Sequence, residues 1–302
     1  MFARTLETKP VRKKDTVTLQ DNILLPPLDT LIEISCCSHE SKIIYINLEA
    51  ILKIMEFYCV SELITDFISK EVKERRSEGL VVGLSGGLDS SVASSLAVKA
   101  LGPRHVFGLI LPDSNISLKN DIHDAKQLAK NLKIKYKVIE IGKIKHQFLK
   151  QVPKNKLAQG NFASRLRMCI IYYYAAIMHR LVLGTADKSE LKLGYYTKHG
   201  DGAADIFPLA DLYKTEVREI ARYLQIPLKI QKKKSSPRLW KGHTAEDEIG
   251  LHYEEIDEIL RRLDTNTLNK SKFNSSDIQR IIEFVENNKH KQEESPICKV
   301  HD

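Results

Sequence analysis

The chain has 302 residues, 42% hydrophobic and 28% charged, with a formal net charge of +8, enough for one large domain or two modest ones and unlike a disordered chain. No run of about 18 uncharged apolar residues occurs, so no membrane span is expected; five cysteines without C-x-x-C spacing read as reduced thiols of a cytoplasmic protein, excluding a disulfide frame or zinc site. The positive balance calls for anionic partners, but the charges are scattered apart from Lys232–Lys234, so small phosphorylated ligands satisfy it and nucleic acid is not implied.

Residues 1–54 differ in character from the rest. Lys9 to Lys14 is basic, Leu24 to Ile34 is apolar with two prolines, and Ile43 to Ile54 suits either a strand or a short helix. Three readings stand: a small appended element, a disordered arm, or upstream sequence ahead of a misassigned start with Met55 as the true initiator. The third is preferred, because Met55 stands just before the first well-patterned helix. Residues 55–302 are then the domain and residues 1–54 an extension of unknown role.

From Glu56 to Arg76, apolar residues recur at Val60, Leu63, Ile64, Phe67, Ile68 and Val72, the spacing of an amphipathic helix. Leu80-Val81-Val82 reads as a short buried strand that breaks into Gly83-Leu84-Ser85-Gly86-Gly87-Leu88-Asp89-Ser90-Ser91 and then a helix to Leu101. Gly86 and Gly87 let backbone N–H groups converge on an anion, and Ser85, Ser90 and Ser91 add hydroxyls. The first turn of the helix adds unpaired N–H groups and a positive dipole end. Asp89 would repel phosphate unless a divalent cation lay between them, so it reads as a Mg²⁺ ligand. No Lys follows the glycines, which separates this loop from G-x-x-x-x-G-K-[ST].

Val106 to Leu111 is a second strand ended by Pro112, Asp121 to Leu132 a helix and Tyr136 to Ile141 a third strand. Strands alternating with helices predict an α/β fold with a doubly wound parallel sheet, whose ligands sit beyond the carboxyl ends of the strands. A long helix opens at Gln159 and runs to about Arg180, with Arg165 and Arg167 near its start, where guanidinium groups can reach phosphate. Leu181–Leu183 is a fourth strand. It turns into Gly184-Thr185-Ala186-Asp187-Lys188-Ser189-Glu190, repeating the strand-then-loop arrangement and offering Glu190 as a second metal carboxylate. Gly194 to Asp205 is a loop with three glycines; helices follow at Lys214 to Leu224, Glu246 to Arg262 and Ser276 to Asn288. The basic stretch Lys232 to Thr244 has the composition of a loop that closes over phosphates.

The first loop resembles that of the N-type ATP pyrophosphatases, which split ATP to AMP and pyrophosphate. Together SGGLDSS (85–91), GNFASRLRM (160–168), GTADKSE (184–190), GYYTKHGDGAAD (194–205), Leu212-Tyr213-Lys214, LWKGHT (239–244) and HK (290–291) resemble the ammonia-dependent NAD synthetases, particularly the archaeal type. The resemblance implies a Rossmann-like, adenine nucleotide alpha hydrolase-like sheet with flanking helices, and a homodimer. It implies ATP on Gly83, Leu84, Ser85, Gly86, Gly87, Leu88, Asp89, Ser90, Thr185, Lys214 and Ser236, and Mg²⁺ on Asp89 and Glu190. Deamido-NAD is implied on Arg165, Lys198, Asp205, His290 and Lys291, with Asp89 and Lys214 serving the chemistry.

The implied reaction is adenylation of the nicotinate carboxylate of deamido-NAD and displacement of AMP by ammonia, giving NAD. Residues 1–54 are too short for a glutaminase, so free ammonia is the expected donor. The alternative is another N-type ATP pyrophosphatase, such as a tRNA-modifying enzyme or an RNA-binding relative. Ala163, Ser236, Ala245 and Gln292 depart from the family pattern and bear on loop closure and affinity more than on the reaction.

Overall fold

Leu80, Val81 and Val82 are fully buried, as a strand covered on both faces must be. With Gly83 they form β5 (Leu80–Gly83), at the centre of a parallel sheet with β6 (Val106–Ile110), β7 (Lys135–Val138) and β8 (Leu181–Leu183), in the order β7-β6-β5-β8. The computed structural model describes residues 6–9, 15–17, 31–34, 42–45, 48–268 and 273–300. The chain divides into two compact units, residues 1–60 and 61–302.

In the first unit β1 (Leu6–Lys9), β2 (Asp15–Val17), β3 (Leu31–Ile34) and β4 (Lys42–Tyr45) make an antiparallel sheet in the order β2-β1-β3-β4. The stretch Ile43 to Ile54, open between strand and helix in the sequence, divides into the end of β4 and the start of α1 (Leu48–Glu74). The basic residues 10–14, most of the apolar run before β3, and Cys36 and Cys37 lie outside the described residues. Cys59, Cys169 and Cys298 are free thiols. No helix among the described residues is long and apolar enough to cross a membrane.

In the second unit the sheet winds both ways from β5. The first connection, α2 (Leu88–Leu101), leads to β6, and α3 (Lys119–Asn131) leads on to β7. The chain then returns through α4 (Gly142–Leu149) and α5 (Lys156–Ile177) to β8 on the other side of β5. The strand order therefore reverses between β5 and β8, where ligands of such sheets sit. Helix α5 buries Ala163 and Ala175 against Val81, Leu109 and Val182. Helix α2 lies against β5, β6 and α7 (Lys214–Tyr223).

A helical layer closes the unit. Here α6 (Lys188–Leu193), α9 (Ala245–Ile249), α10 (Tyr253–Asp264) and α11 (Ser275–Asn288) share a core that includes Leu193, Ile249, Tyr253, Ile256, Leu260 and Ile281; α8 (Leu228–Gln231) lies between α7 and α9 in the chain. The single helix expected from Glu246 to Arg262 is two helices, because Gly250 takes φ 82° and a Cβ there would lie 2.2 Å from an Arg280 nitrogen. The third strand stops at Val138. The Ile139 and Ile141 N–H groups still reach the Ile110 and Pro112 carbonyls, Glu140 takes the backbone N–H groups of Ser114, Gly142 and Lys143, and α4 follows directly on the expected strand end at Ile141.

Candidate active site

The carboxyl ends of β5, β6 and β8 open onto a cavity of about 310 Å³. Its floor is the Gly83–Ser90 loop. Gly86 adopts φ 77°, and a Cβ there would stand 2.2 Å from the Asp121 carbonyl oxygen, so only glycine fits the turn. Ser85 Oγ and Ser90 Oγ are 2.9 Å apart, and the Gly87 N–H donates to Ser85 Oγ. Helix α2 starts after Gly87 with no side-chain cap, which leaves its first N–H groups and positive dipole end to the cavity that Leu88, Asp89 and Ser90 line.

Lys214, the first residue of α7, is almost completely buried and joins the two strand-end loops. Its Nζ lies 2.9 Å from Asp89 Oδ1, 2.6 Å from Asp187 Oδ2 and 2.8 Å from Glu190 Oε1. Asp187 Oδ1 also accepts from the Glu190 N–H, capping α6. Burial pushes the Asp187 carboxyl up to about 6 and raises Glu190 well above the usual carboxylate range; the neighbouring carboxylates add to the rise and Lys214 opposes it. For Lys214, burial alone would favour the neutral amine, but three carboxylates hold its pKa well above the ordinary value. Buried Asp257 of α10 fixes the origin of α7: it accepts from Ser189 Oγ and the Thr215 N–H, and Ser189 Oγ accepts the Lys214 N–H.

The basic loop stands beside the same floor. Lys233 Nζ donates to the Gly86 carbonyl at 2.8 Å and pairs with Asp121 and Asp124, while Arg238 pairs with Asp121. The Ser236 hydroxyl donates to the His243 carbonyl and accepts the Arg238 N–H. Trp240 and His243 stack at 3.7 Å.

Of the expected ATP and metal residues, Gly83, Leu84, Ser85, Gly87, Leu88, Asp89, Ser90, Thr185, Glu190, Lys214 and Ser236 line the cavity. The residues implied for deamido-NAD do not. Exposed Arg165 donates to the Lys198 carbonyl at 3.2 Å, Lys198 Nζ to the His290 carbonyl at 2.5 Å, and Lys291 Nζ to the Gly194 and Tyr196 carbonyls. These four are thus tied into one region of loop and tail. Asp205 stands apart from them, accepting from the Val182 N–H and the Tyr172 hydroxyl.

Two carboxylate groups that support the cavity are not singled out by sequence. Asp187 reads as one loop residue among several, although Asp followed three residues later by Glu is a helix-start signal. Asp121 and Asp124, which hold the basic loop, gave no signal beyond their place at the start of a helix.

A family model described as NAD synthase matches residues 60–295. The NH(3)-dependent NAD(+) synthetase of Archaeoglobus fulgidus is 43% identical over 249 residues, 82% of this chain and 99% of the relative. That of Methanocaldococcus jannaschii is 42% identical over 239 residues, 76% and 92% of the two chains. Among solved structures, the NMN synthetase from Francisella tularensis superposes with TM-score 0.73 at 37% identity, covering 80% of this chain and 98% of that one. The NH3-dependent NAD synthetase from Campylobacter jejuni gives 0.71 at 36%, covering 80% and 99%. The matched span holds both strand-end loops, the Lys214 cluster and the tail, and the chain belongs to the NAD synthase family.

Proposed function

We propose that the chain converts the nicotinate carboxylate of deamido-NAD to the amide of NAD, using ATP and ammonia and releasing AMP and pyrophosphate. The observation that carries this is the convergence of Asp89 and Glu190, from two strand-end loops, on one buried ammonium beside a phosphate-shaped loop. A carboxylate is a poor acyl donor. Adenylation turns its oxygen into a leaving group, and ammonia then displaces AMP.

The loop Gly83–Ser90 receives the phosphates, with Thr185, Lys214 and Ser236 beside it. Arg165, Lys198, Asp205, His290 and Lys291 receive the dinucleotide. Mg²⁺ fits the donor set: Asp89 and Glu190 each give one oxygen to Lys214 and still line the cavity, and this ion takes one or two carboxylates plus phosphate and water. When bound, it supplies charge neutralisation at the phosphates. Lys214 keeps the two carboxylates together, and the uncapped start of α2 offers N–H groups to developing negative charge without reorganisation. Lys233 and Arg238 are further cations that a triphosphate would draw on.

We read the active unit as residues 55–302 and the protein as a cytoplasmic homodimer. Exposed Ile144, Phe148, Leu157, Tyr173 and Ile177 on α4 and α5 support a covered face. A second reading has the mononucleotide acid as substrate, since a chain 37% identical to this one is an NMN synthetase. The test is to supply ATP, Mg²⁺ and ammonium with either acid and compare kcat/KM. Faster turnover of deamido-NAD supports the first reading, preference for nicotinate mononucleotide the second, and turnover of neither refutes both.

A further inference from the structure

Six cationic side chains line the cavity: Arg167, Lys214, Arg218, Lys233, Lys234 and Arg238. Five are matched by carboxylates of the chain. Lys214 has three, Arg218 has Glu246 and Glu254, Lys233 has Asp121 and Asp124, Lys234 has Asp247, and Arg238 has Asp121. Among the described residues, no carboxylate forms an ion pair with Arg167. Its Nε–H donates to the Leu111 carbonyl at 2.9 Å, which leaves the two terminal amino groups as an open fork. Asp113 and Asp201 act on it only through space: Asp113 is paired with Lys145, and Asp201 accepts from Ser164 Oγ and the Thr197 N–H. A guanidinium withdrawn from water without a counter-ion is unfavourable, and a ligand's anion relieves it.

Its position selects the anion. The five matched cations belong to α7, which lies against α2, and to the basic loop that follows α8. Arg167 belongs to α5, which packs on the face of the sheet formed by Val81, Leu109 and Val182. It lines the cavity together with Ser164 of the same helix, to which Asp201 is hydrogen-bonded. The phosphate side already holds loop N–H groups, hydroxyls and cations. What remains without a counter-charge is the acid that must approach an anionic α-phosphate.

We propose that Arg167 binds the carboxylate of the acid substrate through its free amino edge and thereby distinguishes acid from amide product. This rests on the reading that the chain turns such an acid into its amide. A planar fork matches a carboxylate and not a carboxamide, whose NH₂ would face the guanidinium donors. Amidation therefore removes the interaction that held the substrate, and the product is released.

The test is calorimetric titration of the wild type, Arg167→Gln and Arg167→Lys with deamido-NAD and with NAD, in the presence of Mg²⁺ and a non-hydrolysable ATP analogue. NAD formation by the wild type and the melting temperatures of all three are measured alongside. The wild type is expected to prefer the acid by about tenfold or more, the worth of a hydrogen bond to a charged group. Arg167→Gln binds acid and amide alike while keeping its affinity for the ATP analogue, and Arg167→Lys keeps part of the preference. An Arg167→Gln protein that still prefers the acid, or that loses the ATP analogue instead, overturns the proposal. So does equal loss of preference in both variants with a lowered melting temperature, which would make Arg167 a staple between α5 and Leu111. If the wild type makes no NAD, the reading beneath the proposal fails with it; if it makes NAD and only the acid preference survives substitution, the proposal alone fails.

Discussion

Replacing Lys214 by Met keeps the length of the side chain and removes only the charge, so it isolates what the ammonium does among Asp89, Asp187 and Glu190. Removing one partner of a buried ionic cluster leaves uncompensated charge and costs about 3–5 kcal/mol. In a unit of this size that lowers the melting temperature by roughly 6–20 °C. The loss depends on pH, with a sign the carboxyl pKa values dictate. Burial raises Asp187 from 3.8 to about 6, so the native state holds a proton that the unfolded chain has released. Stability from that group is present below 3.8 and is lost as pH climbs through about 6. Without Lys214 the opposing pull disappears and the carboxyls titrate higher still. The gap between variant and wild type should therefore be widest above neutrality and narrow as pH falls below 6. Excess Mg²⁺ should raise the variant's melting temperature more than the wild type's, since three carboxylates then face one another without a cation. Thermal unfolding followed by circular dichroism at several pH values, with Mg²⁺ or with chelator, reads all of this. A loss under about 1 kcal/mol, or a gap independent of pH, would refute the account of Lys214 as the charge that holds the two loops together.

Asp89→Asn and Glu190→Gln should each abolish NAD formation while leaving the fold intact by circular dichroism, and the double variant should cost little more than either, because residues acting as a unit are non-additive; full activity of either variant at low Mg²⁺ would contradict its role. Gly86→Ala places a Cβ 2.2 Å from the Asp121 carbonyl at a φ of 77°, so ATP binding should weaken sharply by calorimetry, and unchanged affinity would show that the loop does not need this turn. A chain starting at Met55 loses the first unit's strands and the first turns of α1; it should keep near-full turnover, because the cavity and the Lys214 cluster lie in residues 61–302. A large fall in activity or melting temperature would make residues 1–54 an integrated element.

Much of the sheet was legible because its strands are short apolar runs punctuated by glycine and proline, and because β8 repeats the strand-then-loop arrangement of β5. The Gly86 turn and the Asp89–Glu190 pairing followed from the chemistry of holding phosphate. Other features depend on three-dimensional context that spacing does not carry. Arg165 and Arg167 are two residues apart on one helix, so they point to nearly opposite sides; the sequence offered both, and which one enters the cavity depends on how α5 sits on the sheet. At Gly250 the chain ends α9 on a left-handed residue with φ 82°, a stop signal set among apolar residues on both sides that suit one continuous helix. Glu140 gathers the N–H groups of Ser114, Gly142 and Lys143 beyond the end of β7, a local side-chain contact that strand propensity does not register.

The account stands or falls on carboxylate adenylation, and isotope transfer tests it directly. Deamido-NAD labelled with ¹⁸O in its nicotinate carboxylate is turned over with ATP, Mg²⁺ and ammonium, and the products are analysed by mass spectrometry. The account predicts label in AMP in amounts equal to the NAD formed, with unlabelled pyrophosphate. Label in inorganic phosphate beside ADP, or NAD formed with no label in AMP, would contradict it.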